Sequence, residues 1–187
     1  MQHSVRKIQR EERGSALLEV AIVCTLFWTM LFGICGFGHA LYAYDFVLHA
    51  AKSATRWAAV NGSTCASDGS CTSPAQASDV QCYVVGGDGC LTKGIVPPGI
   101  DPNKLAVTTT WCNPNGPNGP TCPGNATPTL TCTTTPTAPS CPVQVKVCYD
   151  FSFIVPLIPV GSGASCSGNS TSHTLTLSGT SEMVIAH

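Results

Sequence analysis

The chain has 187 residues, a formal net charge of -1 and only 10% charged residues, well below the roughly 25% of an average soluble protein. No basic stripe exists to neutralise phosphates, which argues against a nucleic-acid partner. Twelve cysteines in so short a chain point instead to an oxidising compartment.

Residues 1–13 are polar and hold Arg6, Lys7, Arg10 and Arg13 beside Glu11 and Glu12. A short basic flank of this kind stays in the cytoplasm and sends the following segment outward. From Val20 to Tyr44 no Lys, Arg, Asp or Glu occurs. As a helix that stretch would reach ~38 Å, enough to cross a ~30 Å hydrocarbon core with some tilt. Glu19 stands at the mouth of the run, where an ionisable group is costly unless it finds a partner. Inside the run Ala21, Thr25, Thr29 and Gly33 recur every four residues, as do Gly36 and Ala40. Small residues at that spacing let membrane helices approach closely. Cys24 and Cys35 share a face, where buried thiols act as small apolar fillers.

The helical pattern continues past the apolar run. Asp45, His49, Lys52 and Arg56 trace one polar stripe, and Tyr44, Val47, Ala51, Ala54 and Ala58 trace a separate apolar one. Asn61-Gly62 is a stop signal, with the glycine expected to take left-handed geometry. One helix from Ser15 to about Val60 follows, its first half in lipid and its second half amphipathic and outside. A cleaved secretory signal would have a shorter apolar core of about 7–15 residues. Gly38-His39-Ala40 is a passable cut site for one, but the continuing helix is then unexplained.

Residues 63–104 are rich in Ser, Gly, Asp and Pro and read as irregular, with Gln81–Val85 the best strand candidate. Leu105–Trp111 is a β-branched and aromatic run that predicts a strand. Residues 113–142 hold eight prolines and eight threonines and predict an extended surface loop. Val143–Phe151 alternates strictly, the mark of a half-buried strand. Ser152–Val160 stays apolar, but Pro156 and Pro159 confine it to an edge or a bend. Thr174–Ser178 alternates again, and Glu182–Ala186 closes the chain. Three or four strands on one amphipathic helix make a small α+β layer, the strand faces covering Tyr44, Val47, Ala51 and Trp57. The expected fold is therefore α+β: a single-pass membrane protein whose long N-terminal helix packs on a small antiparallel sheet. Its parts are a cytoplasmic basic leader (1–14), a transmembrane and amphipathic helix (15–62) and an exported, disulfide-rich β domain (63–187).

Ten cysteines lie beyond the helix: Cys65, Cys71, Cys82, Cys90, Cys112, Cys122, Cys132, Cys141, Cys148 and Cys166. An even set in an exported segment predicts a disulfide framework, and its about 900 pairings stay open. Zinc is the rival, yet no pair has the C-x2-C spacing that lets two thiolates grip one tetrahedral ion. No nucleophile elbow, zinc-protease motif, phosphate loop or usefully spaced carboxylate pair occurs. The chain is not expected to be an enzyme, and no cofactor or metal is expected.

The chemistry is instead done to this chain. Residues Gly14 to Glu19 resemble a prepilin processing site: a basic leader, a glycine, then an apolar helix with glutamate fifth after the cut. Cleavage between Gly14 and Ser15 would leave the membrane helix attached, since the apolar run lies beyond it. Three segments carry a wider resemblance: Ser15–Val23, Leu31–Gly38 and Ala50–Ala59. In that order and spacing they resemble the TadE-like family, pilin-like components of the Tad/Flp pilus system. The resemblance covers about residues 13–60, with a loose fit of the final strands. The family usually has proline where Thr25 stands, glutamate where Gly36 stands and a basic residue where His39 stands.

The resemblance implies a minor-pilin-type structural component in assembling a Tad/Flp-type pilus or a related secretion apparatus. It further implies leader removal by a prepilin peptidase, and pairing of Glu19 with the new N-terminal ammonium of a neighbouring helix. The implied partners are that peptidase, other pilin-like subunits, inner-membrane pilus assembly proteins and membrane lipid. The implied place is the bacterial cytoplasmic membrane, N-terminus inside and the C-terminal domain periplasmic or extracellular. The alternative is a secreted or membrane-anchored cysteine-rich binding domain, an adhesin or sensor outside any pilus.

Overall fold

A computed structural model describes residues 2–62, 75–87, 90, 94–112, 122, 123, 132, 135, 137, 138, 140–153, 166 and 174–186, residues 2–15 by their backbone alone. Helix α1 runs Gln2–Asn61. The chain divides into two compact units, Met1–Ala40 and Leu41–His187. The helix begins well before Ser15, the expected start. Gln, Arg, Lys and Glu lose little side-chain freedom in a helix, so the polarity of this N-terminal stretch does not break one.

The second unit holds three antiparallel strands in the order β1-β2-β3: β1 Leu105–Thr110, β2 Pro142–Ser152 and β3 Thr174–Val184. β2 is central, and its alternation reflects one face turned to the core. Val143, Val145 and Val147 are fully buried and Tyr149 and Phe151 nearly so, while Lys146 and Ser152 are exposed. The last predicted strands are one: β3 runs through Gly179 without a break, paired along its length with β2. Gly179 is there for contact. The register sets it beside Val147, and a Cβ on it would stand 3.1 Å from the Val47 carbonyl oxygen and 3.3 Å from the Leu48 Cα. A glycine in a strand interior often marks such a close backbone approach.

That approach explains the composition of the helix stripe beneath the sheet. Ala43, Val47, Ala50, Ala51, Ala54 and Ala58 are buried almost completely, small residues that let β3 lie close. Tyr44, expected under the strands, is 45% exposed; Ala43, one residue earlier, takes its place. The polar stripe falls where periodicity put it, with Asp45, His49, Lys52 and Arg56 all exposed. His49 lies 3.8 Å from Asp45 across one turn. Thr55 is buried in the interface, its hydroxyl donating to the Ala51 carbonyl (2.7 Å) and within 3.3 Å of the Ser181 carbonyl.

Gln81–Val85 is not a strand but the end of a second helix, α2 Ala77–Val85. Its short β-branched run misleads because the burial period is four: Val80 and Val84 are both fully buried. The Asp79 carboxylate accepts from the Gln76 N–H (2.8 Å) and fixes the first turn. Trp57 is covered by this helix rather than by a strand, its ring stacked on Tyr83 at 5.5 Å.

The helix stop falls at Asn61-Gly62 as expected, but for a different reason. Gly62 does not have a positive φ; a Cβ there would stand 2.8 Å from Ile185 Cγ2 and 3.0 Å from the Thr137 carbonyl. The chain's end is thus folded over the end of α1. Ile185 is 2% exposed, its N–H donates to Cys141 (2.9 Å), its carbonyl accepts from Ser140 (2.9 Å), and Ala186 N–H donates to Ala59 (3.1 Å). The last bond satisfies one of the carbonyls that every helix C-terminus leaves orphaned. Ile185→Ala should therefore destabilise this unit by about 2–5 kcal/mol, read as a lowered urea midpoint.

Candidate functional site

The residues singled out for processing stand on α1. Gly14 and Ser15 lie within its helical backbone, and Glu19 follows one turn beyond Ser15. Residues four apart share one face of a helix. The Glu19 side chain is exposed and, among the described residues, makes no hydrogen bond or ion pair.

On either side of Glu19 the described residues of the first unit form no core of their own. Leu17, Leu18, Val20, Ile22, Val23, Leu26, Phe27, Trp28, Met30, Ile34 and Phe37 are each more than half exposed. Residues Ala16–Asn61 contain a window long and apolar enough to cross a membrane, with none of it buried in the chain. From Ala16 to Ala40 such a helix spans ~37 Å. Its two mid-span threonine hydroxyls are closed within the helix. Thr25 donates to the carbonyls of Ala21 (2.7 Å) and Ile22 (2.9 Å), and Thr29 to that of Leu26 (2.9 Å). That leaves little to solvate, as a hydrocarbon environment requires. Trp28 stacks on Phe32 at 5.7 Å and meets Phe27 edge-on at 6.0 Å. At Gly33, Gly36 and Gly38 an added Cβ would meet nothing within 4 Å, so these glycines answer to no contact within the described chain.

Residues 14–56 match the family model of the TadE-like proteins. Over that stretch the chain is TadE-like. The TadE-like segment opens on Gly14, takes in the exposed apolar helix and ends at Arg56, on the helix face opposite the sheet contact. No curated protein and no solved structure matches the chain.

The described cysteines downstream of the TadE-like segment are paired rather than gathered. Disulfides join Cys82–Cys90, Cys112–Cys122, Cys132–Cys141 and Cys148–Cys166; Cys65 and Cys71 lie outside the described residues. So do most of the Pro/Thr-rich loop at 113–142 and the apolar run at 154–160. Cys24 and Cys35 are free and exposed on the apolar helix. Among the described residues no group of three His, Cys, Asp or Glu side chains stands ready for a metal ion.

One residue escaped the sequence reading. Asp150 sits in β2 at a position where a polar side chain was expected to face water, yet it is 5% exposed. Its Oδ1 accepts from the Cys166 N–H (3.1 Å) and the Thr176 hydroxyl (3.3 Å). The carboxylate and the Cys148–Cys166 bond together hold Cys166 over the outer face of the sheet. Only its charge, the one acidic group in β2, could have drawn attention to it.

Proposed function

We propose that this protein is a pilin-like structural subunit of a Tad/Flp-type pilus or related secretion apparatus, cut after Gly14 by a prepilin peptidase. The carrying observation is the contrast along α1: residues 16–38 leave large apolar side chains uncovered, while residues 43–59 bury a small-residue stripe under a sheet. An apolar surface of that size needs lipid or other helices to cover it. The TadE-like match supports the same reading, because it begins at the residue before the proposed cut.

In this reading the helix spans the cytoplasmic membrane once, with the leader inside and the disulfide-bonded unit outside. Cutting frees an ammonium at Ser15. Glu19, exposed and without a partner among the described residues, then meets the ammonium of a neighbouring subunit, an arrangement that removes the cost of a lone carboxylate at the edge of lipid. The role is structural, not catalytic, and its partners are the peptidase, other pilin-like subunits and the assembly proteins of the inner membrane. The open glycines fit this picture, since a neighbouring helix would occupy the space beside them. Gly33→Leu should weaken co-purification with partner subunits at least several-fold while leaving the urea midpoint of the second unit unchanged.

A second reading has one observation in its favour: the two compact units divide between Ala40 and Leu41, where a signal peptidase would cut. The N-terminal residue and intact mass of the mature protein separate the readings. Ser15 supports the pilin-like subunit, Leu41 replaces it with a secreted cysteine-rich domain, and Met1 leaves a plain membrane anchor.

A further inference from the structure

Each of the four described disulfides joins a cysteine to the next one along the chain, at separations of 8, 10, 9 and 18 residues. Eight cysteines admit about 105 pairings, and a single one of them is consecutive throughout. Loop length does not select it. Cys122 stands ten residues from both Cys112 and Cys132, and Cys148 is closer in sequence to Cys141 than to its partner Cys166. Nor does the finished sheet select it. The β1–β2 register pairs Thr110 with Gln144; continued by two residues it would set Cys112 opposite Pro142, beside Cys141. A bond across those strand ends would suit the fold, yet Cys112 is joined to Cys122.

Timing also separates the bonds from the core. All four close before Thr174, the first residue of β3. It is β3 that covers α1 through Gly179, and the tail after it that reaches Ala59. The bonds can form on a chain whose core is still incomplete.

We infer that these disulfides form in chain order during export, each new cysteine closing on the unpaired one before it, with no later rearrangement. This rests on the proposed export of the segment. The oxidant is a protein of the thiol–disulfide oxidase class. A chain thiolate attacks the oxidase disulfide, forming a mixed disulfide and releasing one oxidase thiolate. The next chain thiolate attacks the chain's sulfur in that bond and expels the second. The chain loses two electrons and two protons per bond, and the oxidase is left as a dithiol.

Pulse-labelling of the full chain in an exporting cell, with thiols trapped by acid and alkylation and linked peptides identified by mass spectrometry, tests this. The expected result is Cys82–Cys90 before Cys148–Cys166, with the yield of native pairs unchanged when disulfide isomerase is deleted. Cys90→Ser should shift the pattern, Cys82 taking Cys112, Cys122 taking Cys132, and Cys141 taking Cys148. A Cys90→Ser chain that keeps its other three bonds and leaves Cys82 free overturns the inference, as does a several-fold loss of native pairs without isomerase. If the eight cysteines of these four bonds are all found as free thiols in the cellular protein, the export reading itself fails, a result distinct from both.

Discussion

Gly14→Leu should leave the chain uncut, with Met1 at its N-terminus and no mature species detectable by intact mass. A peptidase needs its substrate extended across the active site, and Gly14 lies within the helical backbone of α1, so the helix must open there first. Glycine costs a helix about 1 kcal/mol relative to alanine, which makes Gly14 the weak point of the leader. Gly14→Ala removes that weakness without adding bulk, and cleavage should slow by about five-fold, the factor that 1 kcal/mol represents. Leucine adds both a good helix former and a side chain beside the proposed cut. Glu19→Ala should instead be cut normally and fail afterwards, in recovery with neighbouring subunits. Normal recovery of Glu19→Ala would remove the proposed pairing with a neighbour's Ser15 ammonium and leave Glu19 as an interfacial carboxylate.

Gly179→Val should abolish the folded second unit. Propensity argues the opposite way: valine suits a strand and glycine weakens one, by up to about 1 kcal/mol. The contacts decide it. An added Cβ would press on the Val47 carbonyl oxygen at 3.1 Å and the Leu48 Cα at 3.3 Å, both backbone atoms of a helix that cannot yield singly. Overpacking of this kind costs about 1–3 kcal/mol for modest additions, and valine adds two further methyl groups at the same point. Lifting the helix also parts Thr55 from Ser181 and Ala59 from Ala186. Gly179→Ala should therefore lower the urea midpoint measurably and Gly179→Val should leave no cooperative transition. An unchanged midpoint for the valine chain would mean that β3 is not seated on α1 as described.

What the sequence made legible follows the physics that periodicity reports. β2 was plain because a central strand with one face on the core must alternate. The polar stripe of α1 was plain because charges avoid burial whatever covers the other face. The apolar stripe was placed correctly at Val47, Ala51, Ala54 and Ala58 and missed at one member, Tyr44 standing in for Ala43, since a large ring invites a core reading more than a methyl group does. α2 was missed because five residues from Gln81 to Val85 cannot distinguish a strand from the last turns of a helix. The Asn61-Gly62 stop was found by its composition, but the need for glycine lies in the approach of Ile185, contributed by the far end of the chain. The residues proposed for processing were legible only through resemblance, since one glycine and one glutamate carry no pattern of their own.

The anchoring of Ile185 and Ala186 has a practical consequence for anyone following this protein on a cell. Ala186 lies beside Ala59, fifteen residues along α1 from Tyr44, which is ~22 Å of helix. A fluorophore attached at Ala186, whose side chain is exposed, would thus be carried at the end of the helix farther from the proposed membrane, clear of the strand that seats on α1. It offers a handle that leaves the buried Ile185 and the strand seated on α1 unchanged.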